Sequence, residues 1–346
     1  MFENKEKTEI NKLGEFGLIK HLTKDFTIKH TETAYGIGDD AAVIATNPKQ
    51  QVISTDLFIE NIHFDLMYSP LTHIGYKCIS ASVSDICAMN AIANQVLVSI
   101  ALSSKYSLEA VEELYRGIKA SCDKYNLELI GGDTSSSVTG LMISITVIGY
   151  ADEKKIVKRS GAKPGDLLVA SGDLGGAYMG LQMLEREKQV FLDQKDMQPD
   201  LEGKEYIVGR QLRPEARTDI IELLDEIGII PTAMIDISDG LSSEIFHLCD
   251  HSKIGMRVYE DKLPIDQQTY DTALEFNLAP TTCAMNGGED YELLFTLPQA
   301  DYDKVKNSIE LTVIGYCTEP HLGLEMITKS GNVVSLEAQG WENFKG

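Results

Sequence analysis

The sequence QVISTDLFIENIHF, at residues 51–64, combines a strand pattern with a run of oxygen-bearing side chains. Apolar and polar residues alternate in its first half, where Val52 and Ile53 favour a β-strand. The strand pattern ends in three consecutive residues with side-chain oxygens: Ser54, Thr55 and Asp56. Oxygen ligands in near-octahedral geometry are what Mg²⁺ requires. We therefore interpret this strand end as part of a metal site.

Four further segments place an Asp beside Gly or Ser and next to an apolar run. They are GIGDDAAV (36–43), SVSDICAM (82–89), IGGDTSSS (130–137) and IDISDGLS (235–242). Any one of these Asp residues is explained equally well by helix capping or by a turn. Five such clusters in one chain favour a shared site. Two carboxylates about 4 Å apart repel by roughly 4 kcal/mol at an effective dielectric of about 20, so converging carboxylates need cations. We predict that they hold Mg²⁺ against nucleotide phosphates.

The length and the distribution of apolar residues predict two domains of mixed α/β (α+β) architecture. The chain has 346 residues, of which 43% are hydrophobic. A segment at residues 151–166 is first charged and then rich in Gly and Pro, so the predicted domains are 1–150 and 151–346. In the first domain, the patterns predict helices over 71–91 and 107–126. Strands and helices alternate in both domains without a regular βαβ array.

The sequence lacks the two commonest phosphate-binding motifs. It contains neither the P-loop G-x-x-x-x-G-K-[ST] nor a G-x-G-x-x-G after a strand. The segment GDLGGAYMG (172–180) resembles a Gly-rich phosphate loop, but a tight strand-to-helix turn explains its glycines equally well. In NGGEDYELLF (286–295), Glu289 and Asp290 follow two glycines, and we expect this loop to present both carboxylates to a site.

Charge and cysteine usage limit the partners and the compartment. A formal net charge of −22 argues against binding to nucleic acids and to anionic membranes. The six cysteines are scattered without a C-x-x-C pair, as expected for reduced, buried thiols in the cytoplasm. The N-terminal segment MFENKEKTEINKLGEF lacks the apolar core of a secretory signal, which also favours a cytoplasmic protein.

Taken in order, these motifs resemble those of the thiamine-monophosphate kinase family. The resemblance runs from about Glu15 to the C-terminal GWENF and is most specific in SGAKPGD (160–166) and GGEDYEL (287–293). It implies two mixed α/β domains of the aminoimidazole-ribonucleotide-synthetase-like type, with an N-terminal ATP- and Mg-binding, dimerising domain and a C-terminal domain that completes the ATP and substrate sites. It also implies a homodimer that uses ATP and several Mg²⁺ ions to convert thiamine monophosphate to thiamine diphosphate, the last step of that biosynthesis.

The resemblance assigns site residues position by position. The implied metal ligands are Asp40, Ser54, Thr55, Asp56, Asp85, Asp133, Asp236 and Asp239. The implied ATP contacts are Tyr115, Gly132, Asp133, Arg159 and Ser238. The implied thiamine monophosphate contacts are His63, Glu289 and Trp341. Spacing alone leaves Asp39 and Asp40 as equivalent candidates.

No catalytic general base is expected. The attacking phosphate monoester is already ionised near neutral pH because its second pKa is about 6. We therefore expect direct in-line transfer assisted by Mg²⁺, in which the metal and Arg159 neutralise the repulsion between two anions.

Two other functions stay open. A sister ATP-using synthetase of the same superfamily is the nearest, although a selenophosphate synthetase would carry a reactive Cys near its N-terminus, and the first Cys here is Cys78 within a predicted helix. A non-catalytic acidic protein that binds nucleotide or metal is the other.

Overall fold

A computed structural model of the protein describes residues 14–35, 43–44, 49–194 and 198–336. The chain divides into two compact units, each described separately below. Unit 1 comprises residues up to Ile86 together with Ile92–Glu153, and unit 2 comprises Cys87–Ala91 and Lys154 onward.

Unit 1 is built on a four-stranded sheet. Its elements are α1 (Gly14–Thr23), β1 (Thr33–Tyr35), β2 (Val43–Ile44), β3 (Gln50–Ile59), α2 (Leu71–Ala88), β4 (Ile92–Leu102), α3 (Leu108–Lys124), β5 (Glu128–Ser136) and β6 (Met142–Ala151). The strand order of the main sheet is β3-β6-β4-β5, while β1 and β2 pair separately. β4 and β5 are parallel, and the other neighbours are antiparallel. The mixed sheet confirms the predicted fold class.

Helices α2 and α3 pack closely because glycines face each other. A Cβ on Gly75 would lie 2.1 Å from the Leu114 carbonyl oxygen, and one on Gly117 would lie 1.8 Å from that of Thr72. α3 begins where predicted, with Ser107 as its N-cap accepting from the Ala110 amide at 3.4 Å. The apolar stripe of this helix is buried: Leu108, Val111, Leu114, Tyr115 and Ile118. The close helix pair fixes α2 in position against the sheet.

Unit 2 contains a seven-stranded sheet with helices around it. Its strands are β7 (Leu167–Ser171), β8 (Ala233–Asp236), β9 (Gly255–Tyr259), β10 (Leu293–Leu297), β11 (Leu311–Thr318), β12 (Leu324–Ile327) and β13 (Val333–Ser335), in the order β13-β12-β9-β11-β7-β10-β8. Its helices are α4 (Gly176–Asp193), α5 (Glu205–Leu212), α6 (Thr218–Glu226), α7 (Leu241–Ser252), α8 (Gln267–Glu275), α9 (Pro280–Asn286) and α10 (Tyr302–Val305).

Helix α7 supplies much of the core beneath this sheet. Its residues Leu241, Ile245 and Leu248 are buried with side chains of β7 to β11. A second apolar cluster joins α4, α5, α8 and α9 around Met179, Met183 and Ile207. All six cysteines are buried free thiols, as predicted. None of the helices in the described ranges is both long and apolar enough to cross a bilayer.

Candidate active site

The first group of predicted ligands lies between β3 and α2 in unit 1. Ser54 and Asp56 are two residues apart on β3 and therefore point to the same side of the sheet. On α2, Ser82 and Asp85 are one helical turn apart and face them. Ser82 Oγ donates to Asp56 Oδ2 at 2.5 Å, and Ser54 Oγ donates to Asp85 Oδ2. The structure thus brings three predicted ligands together. Ser82 was not predicted, although its spacing from Asp85 on a helix places it on the same face.

The Asp56 carboxylate has a hydroxyl partner but no cationic one among the residues that the structure describes. Burial raises the pKa of Asp56, and the hydrogen bond from Ser82 lowers it in part. Within the described ranges, no Lys or Arg lies within ion-pair distance of this carboxylate. A negative charge removed from water without a counterion is unfavourable, so a bound cation would stabilise the ionised form.

Thr55 and Asp133 lie elsewhere in the same sheet. Strand alternation turns Thr55 to the face opposite Asp56, where its hydroxyl donates to the Ile145 carbonyl oxygen at 3.1 Å. Asp133 is exposed on β5, with β6 and β4 between it and β3. Three strand spacings separate the two edge strands, or about 14 Å. Gly132 is required beside it, because a Cβ there would lie 1.8 Å from the Val98 carbonyl oxygen.

The residues at β3 and α2 fit a magnesium ion by their chemistry. Ser54, Asp56 and Asp85 offer a hydroxyl and two carboxylates, which are hard oxygen ligands that leave positions for phosphate oxygens and water. No three His, Cys, Asp or Glu side chains of the described residues form a complete metal-binding group. The predicted ligand Asp40, its neighbour Asp39 and the predicted substrate contact Trp341 all lie outside the described residues.

His63 follows β3 and has a defined ring orientation. Its Nδ1 accepts a hydrogen bond from the backbone N–H of Ile59 at 3.1 Å, and its ring packs edge-to-face on Phe58 at 5.9 Å. In the neutral ring the proton is therefore assigned to Nε2. That nitrogen can donate to an anionic group such as a phosphate. Tyr115, a predicted ATP contact, is buried on α3, and burial raises its pKa to about 12.

The second group of predicted residues lies in unit 2, where two loops pair. Asp236 ends β8 and is 4% exposed, and the chain then turns through Ser238 and Asp239 into α7. The amide of Glu289 donates to the Ser238 carbonyl oxygen at 2.7 Å. The amide of Tyr291 donates to the carbonyl oxygen of Ile237 at 2.8 Å. The structure therefore brings Glu289 beside the predicted metal and ATP residues of this unit.

Glu244 holds this turn and was missed by the sequence interpretation. One of its carboxylate oxygens accepts the amide of Asp239 at 2.8 Å and that of Ser238 at 3.3 Å. Burial raises the pKa of Glu244 to about 7 and also raises the pKa of Asp239. The positive charge of Arg159 and that of a protonated His247 lower the pKa of Asp239, so both side chains lie near this carboxylate. The motif SDGLSSE contained the signal, since an acidic residue in the first turn of a helix commonly binds free amides.

The loop that carries Arg159 is fixed by one serine. Ser252, the last residue of α7, donates to the Arg159 carbonyl oxygen at 3.2 Å. It accepts the amides of Gly161 at 3.2 Å and Ala162 at 3.3 Å. One donated and two accepted bonds use the full capacity of a hydroxyl. The Arg159 side chain is exposed and so is available to a ligand.

Asp290 is not presented to a site, and that part of the prediction is wrong. Its carboxylate is fully buried and accepts the amides of Gly175 at 2.7 Å and Ala177 at 3.2 Å. It also lies 3.6 Å from an Arg210 nitrogen. These bonds occupy amides at the N-terminus of α4 that a phosphate would need. The glycines of 172–180 therefore form a strand-to-helix turn capped from within the protein.

Glu292 belongs to the same buried network. It is 1% exposed and contacts Arg210 at 2.9 Å and Arg217 at 2.6 Å. Helix α5, which carries Arg210, was not predicted, because its eight residues are too few for a clear periodic pattern.

Two family descriptions match the chain. The AIR synthase related protein N-terminal domain matches residues 38–151, and the corresponding C-terminal domain matches residues 163–326. The thiamine-monophosphate kinase of Bacillus subtilis (strain 168) is 32% identical over 339 residues, covering 96% of this chain and all of the relative. That of Aquifex aeolicus (strain VF5) is 32% identical over 336 residues, covering 97% and 99%.

Solved structures are similar over the same length. A structure described as AaThiL complexed with AMPPCP and TMP has a TM-score of 0.73 and 30% identity, covering 97% of this chain and 98% of that one. The hydrogenase maturation protein HypE in complex with ATP has a TM-score of 0.72 and 16% identity, covering 92% and 94%. At that identity, HypE shares the fold.

Proposed function

The chain belongs to the thiamine-monophosphate kinase family, and on that premise we propose that it transfers a phosphoryl group from ATP to thiamine monophosphate, giving thiamine diphosphate and ADP. The similarity to the Bacillus subtilis enzyme over 96% of this chain and all of the relative is the observation that carries the proposal. The AMPPCP and TMP named for the AaThiL structure support the same pair of substrates.

The proposed site keeps the assignments made from the sequence. The proposed magnesium ligands are Asp40, Ser54, Thr55, Asp56, Asp85, Asp133, Asp236 and Asp239. The proposed ATP contacts are Tyr115, Gly132, Asp133, Arg159 and Ser238. The proposed thiamine monophosphate contacts are His63, Glu289 and Trp341. When bound, Mg²⁺ would neutralise phosphate oxygens and hold the reacting groups in line.

The residues of the chain would supply orientation and charge rather than proton transfer. The nucleophile is a phosphate oxygen of thiamine monophosphate, which is largely ionised at neutral pH because the second pKa of a phosphate monoester is about 6. It attacks the γ-phosphorus of ATP as the bond to the β-phosphate oxygen breaks, and ADP leaves. Arg159, exposed on its loop, would neutralise charge on the transferring group. His63 would donate through Nε2 to the phosphate of the substrate.

The proposal includes a homodimer in which two copies share the metal site. Asp56 and Asp133 lie on opposite edges of one sheet, about 14 Å apart. Asp56 and Asp133 can therefore share one metal site only if the β5 edge of a second copy lies beside β3 of the first. The face of the sheet opposite Asp56 exposes Ile53 at 61% and Leu57 at 53%, which a second copy would cover. The buried thiols and the use of ATP support a cytoplasmic location.

Subunit mixing tests the shared site. Asp56→Asn and Asp133→Asn each inactivate every site in their own homodimers. When the two are mixed and allowed to exchange, half of the dimers are mixed and each has one intact site, so about a quarter of wild-type activity should return. No recovery, with exchange demonstrated by tagged subunits, would contradict a shared site.

The activity itself is tested by product analysis. The protein should form thiamine diphosphate and ADP in equal amounts from thiamine monophosphate, ATP and Mg²⁺. Turnover only with the substrates of a sister synthetase would assign that activity instead. Binding of ATP without turnover on any of these substrates would favour a nucleotide-binding protein without catalysis.

A further inference from the structure

Gln211, in the last turn of α5, is a buried amide whose two ends have different surroundings. The residue is 4% exposed, and its Nε2 donates to Glu289 Oε2 at 2.8 Å. Its Oε1 is buried and has no hydrogen-bond partner in the described part of the chain. An ionised carboxylate only accepts hydrogen bonds, so the amide nitrogen must face Glu289 and the oxygen must face the other way.

A buried carbonyl oxygen without a partner is unfavourable and uncommon in folded proteins. Asn286, three residues before Glu289, has a second such atom, because its Oδ1 is also buried without a partner among the described residues. Both atoms are hydrogen-bond acceptors. Each atom would be complemented by a hydrogen-bond donor such as an N–H group, whereas a phosphate oxygen would be repelled.

We propose that Gln211 is a recognition residue for the amino-substituted pyrimidine ring of thiamine monophosphate. Its Nε2 positions the Glu289 carboxylate, and its Oε1 accepts an N–H from the amino group of the ring. This inference rests on the proposed function, in which Glu289 contacts that substrate. It adds a specificity residue outside the sequence motifs from which the site was assigned.

The backbone around Glu289 is fixed independently of Gln211. The Glu289 amide is bound to the Ser238 carbonyl oxygen at 2.7 Å, and the residue holds a φ of 67°. Gln211 in turn packs on α4, where a Cβ on Gly180 would lie 2.9 Å from its own Cβ. A change at Gln211 should therefore alter the orientation of the Glu289 side chain and leave the loop in place.

Gln211→Met tests the proposal because it keeps the length of the side chain and removes both the amide oxygen and the amide nitrogen. The substrates are thiamine monophosphate and its analogue in which hydrogen replaces the pyrimidine amino group. The wild-type enzyme should prefer the amino form by about tenfold in kcat/KM, the range of one neutral hydrogen bond. In the variant, the KM for thiamine monophosphate should rise about tenfold, the preference should fall below about threefold, and the KM for ATP should not change.

Two further variants separate recognition from structure. Gln268→Met is the matched control. Gln268 Oε1 accepts a hydrogen bond at 3.1 Å from the amide of Ile207, which lies on α5 with Gln211, and Gln268 does not contact Glu289. This variant should keep the wild-type preference. Gln211→Glu keeps an accepting oxygen but places a carboxylate against Glu289. It should raise the KM for thiamine monophosphate while preserving the preference for the amino form, and it tests the proposal if the methionine variant does not fold.

Three outcomes would overturn the inference: a wild-type preference in Gln211→Met, an equal rise of both KM values in that variant, or loss of the preference in Gln211→Glu. The wild-type control distinguishes these outcomes from failure of the proposed function. If the wild-type protein forms no thiamine diphosphate, the proposed function is wrong whatever the variants do.

Discussion

Glu292 in unit 2 and Asp56 in unit 1 differ in the groups that balance their negative charge. In unit 2, Glu292 is held by two guanidinium groups, those of Arg210 and Arg217. In unit 1, Asp56 accepts a bond from the Ser82 hydroxyl and has no Lys or Arg partner in the described ranges. The first arrangement satisfies the charge within the protein. The second leaves the charge of Asp56 to be balanced by a cation from solution. This difference distinguishes a structural carboxylate from a candidate metal ligand.

The largest effect on stability is expected at Glu292, whose charge is paired with arginines of the same unit. Glu292→Gln should lower the free energy of unfolding by about 3 kcal/mol, because two guanidinium groups each lose one of the carboxylates that balance their charge. Urea denaturation followed by circular dichroism measures this loss, with exposed Glu205→Gln as the control. A loss below about 1 kcal/mol would show that the network is not a main support of unit 2.

Asp85→Asn should mainly affect catalysis. It keeps an oxygen that can accept from Ser54 but removes a charge from the proposed magnesium site. The kcat should fall by about 100-fold or more, since metal-assisted stabilisation of the transition state provides several kcal/mol. Steady-state kinetics at saturating Mg²⁺ measures it, with circular dichroism to verify the fold. A rate near that of the wild type would remove Asp85 from the site.

Asp56→Asn should stabilise the metal-free protein while it abolishes the response to magnesium. Burial raises the pKa of Asp56, so at neutral pH its charge destabilises the fold, and a neutral amide removes this cost. A rise in the midpoint of thermal unfolding is therefore expected in EDTA. Thermal unfolding with and without Mg²⁺ measures both effects. The control is Asp250→Asn, at an exposed carboxylate bound to Lys253, which should change neither the stability in EDTA nor the response to Mg²⁺. An Asp56→Asn protein that is less stable than the wild type in EDTA would contradict the account.

The smallest effect is expected at Ser252. Ser252→Ala removes three hydrogen bonds from the loop that presents Arg159, so the KM for ATP should rise about threefold to tenfold while kcat changes little. Ser252→Thr retains the hydroxyl and should restore the wild-type KM. If the alanine variant raises the KM for thiamine monophosphate as much as that for ATP, the loop does not act on ATP alone.

The sequence predicted local features better than their arrangement in space. Helices α2 and α3 followed from residue spacing, because a helix pattern depends on neighbours along the chain. The opposite orientation of Thr55 and Asp56 also follows from strand alternation. The position of Asp133 at the far edge of the sheet depends on strand order, which no local pattern contains.

Asp290 shows the same limit in unit 2. Like its neighbour Glu289, it follows two glycines and precedes an apolar strand. It is nevertheless buried against Arg210, which lies 80 residues earlier in the chain. Its partner is on the unpredicted helix α5, so the sequence alone could not distinguish a structural carboxylate from one available to a ligand.

Calorimetric titration of Mg²⁺ in the presence of AMPPCP tests the central claim most directly. The wild-type protein and Glu205→Gln should bind Mg²⁺ with saturable heat, and the double variant Asp56→Asn/Asp85→Asn should lose that binding while it remains folded. Equal Mg²⁺ binding by the wild-type protein and the double variant would show that the carboxylates between β3 and α2 are not the ligands.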